Sequence, residues 1–273
     1  MTPSRSFLLI VLTAALVLGA CGKAAPPSPV AINQAIQDGK VQAKIVASDD
    51  SGDSTTITLT RPNGVTGTFV VVIPSGTVLY GTDGQQRLIT AASVTVVLSD
   101  DNPSVDQQVA TFCMDEFAAT PPSQAVLSFA PPDGGQGVTT EETEPLHKLV
   151  DCMAPSTQPF GDKQAAVWAV SGDLLSKTPA EALSFLTDGF VSQMSVERRK
   201  QLEAKRADAG QRFSLLSSEK LDQLMEAEYQ QGMPQLREIA ADKAKQQLDA
   251  LLHTDKDLLM SCGYSTENAP LFG

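Results

Sequence analysis

The sequence predicts an α+β fold, with an N-terminal antiparallel β-sandwich followed by an α-helical C-terminal module. Short runs between residues 41 and 126 alternate apolar and polar side chains with a period of two, as half-buried strands do. Clusters of turn-forming residues separate these runs at regular intervals, which is typical of a sandwich. After Asp162 the apolar residues recur at helical spacing instead. We therefore expect a β-sandwich domain over 41–160 and a helical domain over 161–273.

The strands are expected where β-branched residues alternate with polar ones. Residues 55–60 alternate most strictly, and residues 67–73 have the continuous apolar character of a buried strand. Residues 88–98 predict one long strand, and residues 107–113 predict the next. Pro-Asn-Gly and Asn-Pro dipeptides between the runs supply the turns.

The helices are expected from their start signals. Residues 140–153 have helical spacing after an acidic beginning. Thr178 before Pro179, with Glu181 three residues on, is a capping box with proline at the first helical position. Ser217 predicts the start of a further helix, which Pro234 is expected to break.

The first 21 residues have the parts of an export signal. A short polar start with one arginine precedes an apolar run over 7–18, which is shorter than a membrane-spanning helix. Leu18-Gly19-Ala20-Cys21 resembles the lipobox of bacterial lipoproteins. That resemblance implies a signal peptide over 1–20, cleavage before Cys21 and acylation of Cys21. It also implies a cell-envelope location, at the outer membrane or cell surface in a Gram-negative organism, because glycine follows the cysteine.

Composition limits the partners that we expect. The net charge is −12, and residues 22–160 hold 15 Asp and Glu against 6 Lys and Arg. Nucleic acid is therefore not an expected partner, because phosphates require a basic surface. Membrane contact is expected through the lipid anchor alone, with the Pro-rich residues 21–40 as its tether.

Three cysteines remain besides Cys21, and thiols pair in oxidising compartments. An odd number leaves one over. We expect Cys113 to pair with Cys152, because this would close a loop within one domain. With His147, the three cysteines have the composition of a zinc site, but their spacing matches no closed zinc motif, so no metal site is expected.

A second resemblance involves Cys113. Phe112-Cys113-Met114, followed later by Gln164-Ala-Ala-Val-Trp168, is similar to the pattern of thioester domains in Gram-positive surface adhesins. In that family a cysteine thiol and a glutamine side chain form an internal thioester. The resemblance implies Cys113 as the thiol and Gln164 as the acyl donor. The residue before the glutamine is Lys163 here, where the family has an apolar one.

Other chemical patterns are incomplete. The acidic residues 49–53 lack the glycine and distal glutamate of a calcium-binding loop. No Gly-x-Ser-x-Gly or His-Glu-x-x-His motif indicates a hydrolase. The basic residues 196–206 predict either a solvated helix face or a docking surface for an acidic partner.

These observations predict a membrane-anchored envelope lipoprotein whose β-sandwich is a binding or interaction module. The sequence identifies no catalytic activity, and no cofactor is expected. An envelope protein or a surface ligand is the expected partner. Two alternatives remain, a covalent adhesin with a Cys113–Gln164 thioester and an envelope hydrolase of unrecognised type.

Overall fold

A computed structural model describes residues 27–81, 85–129, 143–212 and 217–273. Cys21 and the rest of the lipobox lie outside these residues. The described part is a mixed α+β structure, with sheets in the N-terminal half and helices in the C-terminal half. The strands are β1 Val30–Ala31, β2 Gln42–Ala47, β3 Ser54–Thr60, β4 Phe69–Ile73, β5 Val78–Leu79, β6 Leu88–Thr90, β7 Val94–Leu98, β8 Ser104–Cys113 and β9 Val126–Leu127. The helices are α1 Ile32–Gln37, α2 Glu144–Met153, α3 Phe160–Ser171, α4 Pro179–Arg212, α5 Ser218–Ala250 and α6 Lys256–Ser261.

The larger sheet has six strands in the order β5-β6-β8-β3-β2-β9. Its centre is β3, whose Thr55, Ile57 and Leu59 are buried as their alternation predicted. The long strand β8 pairs with β3 over its first part and with β6 over its last three residues. The two outer strands approach each other through the antiparallel bridge of Tyr80 with Ser128. The sheet is therefore nearly closed on itself.

The smaller sheet has three strands in the order β1-β4-β7. Its β1 pairs in parallel with β4, whereas every other strand pair is antiparallel among the described residues. Apolar side chains of both sheets, such as Ile73 of β4 and Ile57 of β3, share one core. This arrangement resembles both a sandwich and a barrel, because two sheets share one core and the larger sheet is nearly closed.

Two local predictions are corrected. Residues 88–98 form no single strand: β6 and β7 lie in different sheets, and the chain turns at Ala91-Ala92-Ser93 between them. Residues 30–37, expected as part of the tether over 21–40, form β1 and α1. The side chains of Ile32 and Ala35 are only 1% exposed, because α1 covers one end of the shared core.

The helices α4 and α5 form a long antiparallel hairpin. The capping box at the start of α4 is confirmed, since Thr178 N donates to Glu181 Oε2 at 2.9 Å and Glu181 N to Thr178 Oγ1 at 3.4 Å. Ser217 caps α5 by accepting from Lys220 N. Pro234 does not break α5, contrary to expectation. It is exposed, and packing of the neighbouring residues against α4 offsets the loss of one helical hydrogen bond.

The cysteine pairing differs from the expected one. Cys152 at the end of α2 bonds to Cys262 at the end of α6, with their Cα atoms 5.7 Å apart. Cys113 is buried and free, so the expected Cys113–Cys152 pair is wrong. The reason is topological: α2 and α6 both pack on α3, although 110 residues separate the two cysteines in sequence.

A second core lies between the sheets and the helices. It joins Phe112 and Met114 of the β8 region to α2, α3 and α6 and to the adjoining ends of α4 and α5. Within the described ranges, no helix combines the length and apolar character that crossing a membrane requires.

Candidate functional site

The candidate site lies where the end of β8 meets α3. Cys113 is the last residue of β8 and is 5% exposed, and Gln164 lies in the second turn of α3. The thioester resemblance named these two residues, which are 51 positions apart. The structure places them in direct contact, because α3 packs across the end of β8.

The Gln164 carboxamide bonds to both backbone polar groups of Cys113. Cys113 N donates to Gln164 Oε1 at 2.9 Å, and Gln164 Nε2 donates to Cys113 O at 2.7 Å. On this side of β8 the ladder with β3 has ended, since its last bond runs from Thr111 N to Asp53 O. The Gln164 carboxamide therefore takes the place of a peptide group of a neighbouring strand. It satisfies the two buried backbone groups of Cys113, which would otherwise lack partners.

The thiol of Cys113 contacts the tight loop that contains Ser51 and Gly52. It donates to Ser51 O at 3.6 Å. A Cβ on Gly52, whose φ is +78°, would stand 2.9 Å from Sγ, so only glycine leaves room for the sulfur. Burial, assisted by the charges of Asp53 and Asp115, raises the pKa of Cys113 to about 12. The thiol is therefore protonated at neutral pH and weakly nucleophilic.

This arrangement supports two roles for Gln164. As a structural group, the carboxamide closes the end of β8. As an acyl donor, it has its carbonyl oxygen held by Cys113 N–H, which polarises the carbonyl towards attack. The sulfur would bond to Cδ, the Cδ–Nε2 bond would break, and the thiol proton would leave with the nitrogen as ammonia. The high pKa of the thiol and its contact with Ser51 oppose this reaction, whereas the hydrogen bonds of the carboxamide to the Cys113 backbone keep the two residues adjacent.

The acidic residues 49–53 form the loop over the Cys113 thiol. Asp49 Oδ1 accepts from Ser51 N and Gly52 N, each at 3.0 Å, and Asp49 Oδ2 accepts from Ser54 Oγ at 2.8 Å. These bonds lower the pKa of Asp49, although its partial burial opposes them. The carboxylate thus holds the loop in shape. In the part of the chain that the structure describes, no group of three or more potential ligands could hold a metal.

A serine–aspartate–histidine cluster was missed by sequence reasoning. Ser75 Oγ donates to Asp151 Oδ1, and His147 Nε2 lies 3.6 Å from Asp151 Oδ2. The carboxylate thus stands between serine and imidazole, whereas a nucleophilic serine needs the imidazole next to it. Ser75 is also only 4% exposed. The i,i+4 spacing of His147 and Asp151 on α2 is visible in the sequence. Nothing in the sequence indicates that Ser75 lies beside Asp151.

The basic residues 196–206 lie on α4, where α5 neutralises much of their charge. Arg198 Nη2 donates to Glu228 O at 2.8 Å, through space that Gly232 leaves free. Three further cations pair with carboxylates of α5: Arg199 with Glu226, Lys205 with Glu228, and Arg206 with Asp222. The acidic partner of this segment is therefore α5 of the same hairpin.

A cavity of about 220 Å³ adjoins the Cys113–Gln164 pair. Trp168, one turn after Gln164 in α3, lines it together with Phe117 and Phe185. Trp168 also packs against the core between the sheets. Sequence reasoning missed Glu116, which also lines the cavity, because nothing in the pattern of residues 114–118 indicates that this loop turns towards α4.

Comparisons with protein-family models, with curated proteins and with solved structures found no match to this chain.

Proposed function

We propose that this protein is a lipid-anchored component of the bacterial cell envelope and that its role is binding. The observation that carries the binding role is the hairpin of α4 and α5. Residues 191–208 and 217–243 contribute no side chain to either core, so this part of the hairpin projects from the body. At 1.5 Å per residue the projection is about 30 Å long.

The projecting arm holds together by itself. Leu202, Leu221 and Tyr229 are buried between its two helices. The Arg199 guanidinium stacks over the Tyr229 ring at 4.0 Å. Two exposed apolar side chains, Val196 and Leu224, lie on its surface at 53% and 46% exposure. A projecting hairpin with its own stabilising contacts contributes little to the core but offers a long surface to a partner.

The disulfide supports an envelope location independently of the lipobox. A Cys152–Cys262 bond that joins α2 to α6 forms and persists in an oxidising compartment. A reducing cytoplasm would keep these two cysteines as free thiols.

Lipidation is tested by metabolic labelling with radioactive palmitate. The full chain should incorporate label and fractionate with membranes, and Cys21→Ser should lose both properties. Cys113→Ser is the matched control, since that thiol is buried and should not affect labelling. Labelling that survives Cys21→Ser would contradict the anchor.

Binding by the arm is tested with a photo-reactive residue placed at Val196 or Leu224 in living cells. We expect a discrete cross-linked product from these positions. The control position is Val97 of β7, which is 51% exposed but lies on the body. A product from Val97 alone, or none from the arm at saturating illumination, would argue against the arm as the binding surface.

The second candidate function is a covalent adhesin, which the contact of Gln164 with Cys113 favours. Intact mass of the purified chain distinguishes the possibilities. A thioester lowers the mass by one ammonia, in addition to the two hydrogens lost in the Cys152–Cys262 disulfide. Gln164→Ala and Cys113→Ser should each abolish the ammonia loss. A wild-type mass that shows only the disulfide would leave Gln164 with its structural role alone.

A further inference from the structure

The cavity beside Trp168 has walls made of aromatic rings at steep angles to each other. The Phe117 ring meets the Phe185 ring edge-on, with centroids 6.1 Å apart and an interplanar angle of 61°. The Phe117 ring also contacts the Phe190 ring edge-on, with centroids 5.3 Å apart and an interplanar angle of 82°. Trp168 completes the lining from α3. Rings that stand at such angles present several π-faces and edges to one small volume.

A glycine in α4 holds one of these walls in place. A Cβ on Gly189 of α4 would stand 2.2 Å from the Phe117 ring, so the ring lies directly on the helix backbone. Glycine inside a helix costs about 1 kcal/mol relative to alanine, so its presence in α4 needs a packing reason. The Phe117 ring supplies that reason, and the wall is therefore preorganised.

The two carboxylates of the cavity differ in their partners. Asp115 forms a two-pronged ion pair with Arg87, whose Nη2 and Nε lie 2.6 Å and 3.0 Å from its oxygens. Glu116 has no cation partner among the described residues, and its buried Oε1 accepts no hydrogen bond there. Burial raises the pKa of Glu116 to about 7, although the amide of Gln247 acts in the opposite direction. A positive charge beside Glu116 would stabilise its ionised carboxylate.

We propose that this cavity binds an organic cation, a methylated ammonium group, between the rings of Trp168, Phe117 and Phe185 with Glu116 as its counterion. Aromatic faces attract such cations through the negative potential of the ring, most strongly where water is excluded. Phe185 already attracts one cation within the protein, since Lys177 Nζ lies 5.3 Å from its ring centroid. The site does not depend on lipidation or on a thioester.

The size of the cavity restricts the ligand. At about 220 Å³ it is smaller than the pockets of roughly 300–1,000 Å³ that hold drug-sized ligands. It fits a trimethylammonium group with a short stem. This group occurs in free choline and in the headgroup of phosphatidylcholine, and the two sources require separate experiments.

Trp168 is the only tryptophan of the chain, so intrinsic fluorescence reports on this site. The purified chain is titrated with choline, and separately with its uncharged carbon isostere 3,3-dimethylbutanol. We expect a saturable change with choline and at least about tenfold weaker binding of the isostere. Vesicles of phosphatidylcholine and of phosphatidylglycerol form the second arm. A response to choline assigns the free ligand, and one confined to phosphatidylcholine vesicles assigns the headgroup.

Variants assign the response to the cavity. Glu116→Gln should weaken choline binding at least about tenfold, because the isosteric amide removes the counterion. Phe185→Leu should weaken it about threefold to tenfold. Asp188→Asn, an exposed carboxylate on the same helix as Phe185, should leave binding unchanged. Circular dichroism checks that each variant is folded, and the wild-type comparison of choline with its isostere needs no variant. Equal binding of the two, no response in either arm, or unchanged binding by Glu116→Gln would overturn the proposal.

Discussion

Replacing Gln164 by methionine removes the carboxamide that closes the end of β8 while keeping an unbranched side chain of similar length. The change leaves Cys113 N–H and Cys113 C=O without their partners at 2.9 Å and 2.7 Å. Each buried backbone group that loses its partner costs about 1–3 kcal/mol. The methionine side chain recovers some of this through packing, since Gln164 is only 7% exposed. We expect a loss of about 3 kcal/mol in the free energy of unfolding, or about 6–12 °C in Tm for a chain of this size.

The measurement is equilibrium unfolding in guanidinium chloride, followed by circular dichroism, with the disulfide intact. Gln193→Met is the matched control, because Gln193 is an exposed residue in α4 and should change stability by less than about 0.5 kcal/mol. If Gln164→Met unfolds within about 0.5 kcal/mol of wild type, the carboxamide is not completing the ladder of β8. The reasoning on its structural role would then be refuted.

Three further predictions concern other parts of the molecule. Burial raises the pKa of Asp255 to about 7, so folding takes up a proton between about pH 4 and pH 7 and stability should fall as the pH rises through this window. The shift corresponds to about 4 kcal/mol, and about half of it should survive relaxation around the charge. Thermal melts at pH 5 and pH 8 cover most of this window, so they should show most of this loss in wild type and not in Asp255→Asn; an equal loss in both would exclude Asp255 as its source. Cys262→Ser should lower the free energy of unfolding by about 3 kcal/mol, because the disulfide closes a span of 110 residues; denaturation that matches wild type under oxidising conditions would contradict this. Gly189→Ala should destabilise by about 1–3 kcal/mol through its clash with Phe117, whereas Gly161→Ala, with no atom within 4 Å of its added Cβ, should be neutral or stabilising; equal melting temperatures for the two variants would show that the Phe117 ring can move.

The thioester resemblance correctly indicated that Cys113 and Gln164 lie next to each other, but this proximity does not require a thioester. The resemblance named Cys113 and Gln164, and the structure brings both to one place. The same geometry gives Gln164 a structural purpose that requires no reaction. Intact mass separates the two roles, and unfolding of Gln164→Met measures the structural one.

The order and type of most elements could be predicted because local signals carry them. The alternation in β3 and the capping box at Thr178 and Glu181 depend on neighbouring residues only, and both are found as expected. The splitting of residues 88–98 into two sheets could not be predicted, since apolar alternation continues through the turn. Pro234 indicated a helix end, but contacts with α4 maintain α5 through that position.

The sequence by itself determined the α+β class, the acidic composition and the starts of α4 and α5, and it predicts an export signal around Cys21. These properties follow from composition and from spacing along the chain, which need no long-range contact. The tertiary structure alone decided that Cys152 bonds to Cys262, that Gln164 completes β8, and that Glu116 meets Trp168 in one cavity. Each of these contacts joins residues at least 50 positions apart, and only the packing of α3 against the sheets and helices determines which distant residues meet.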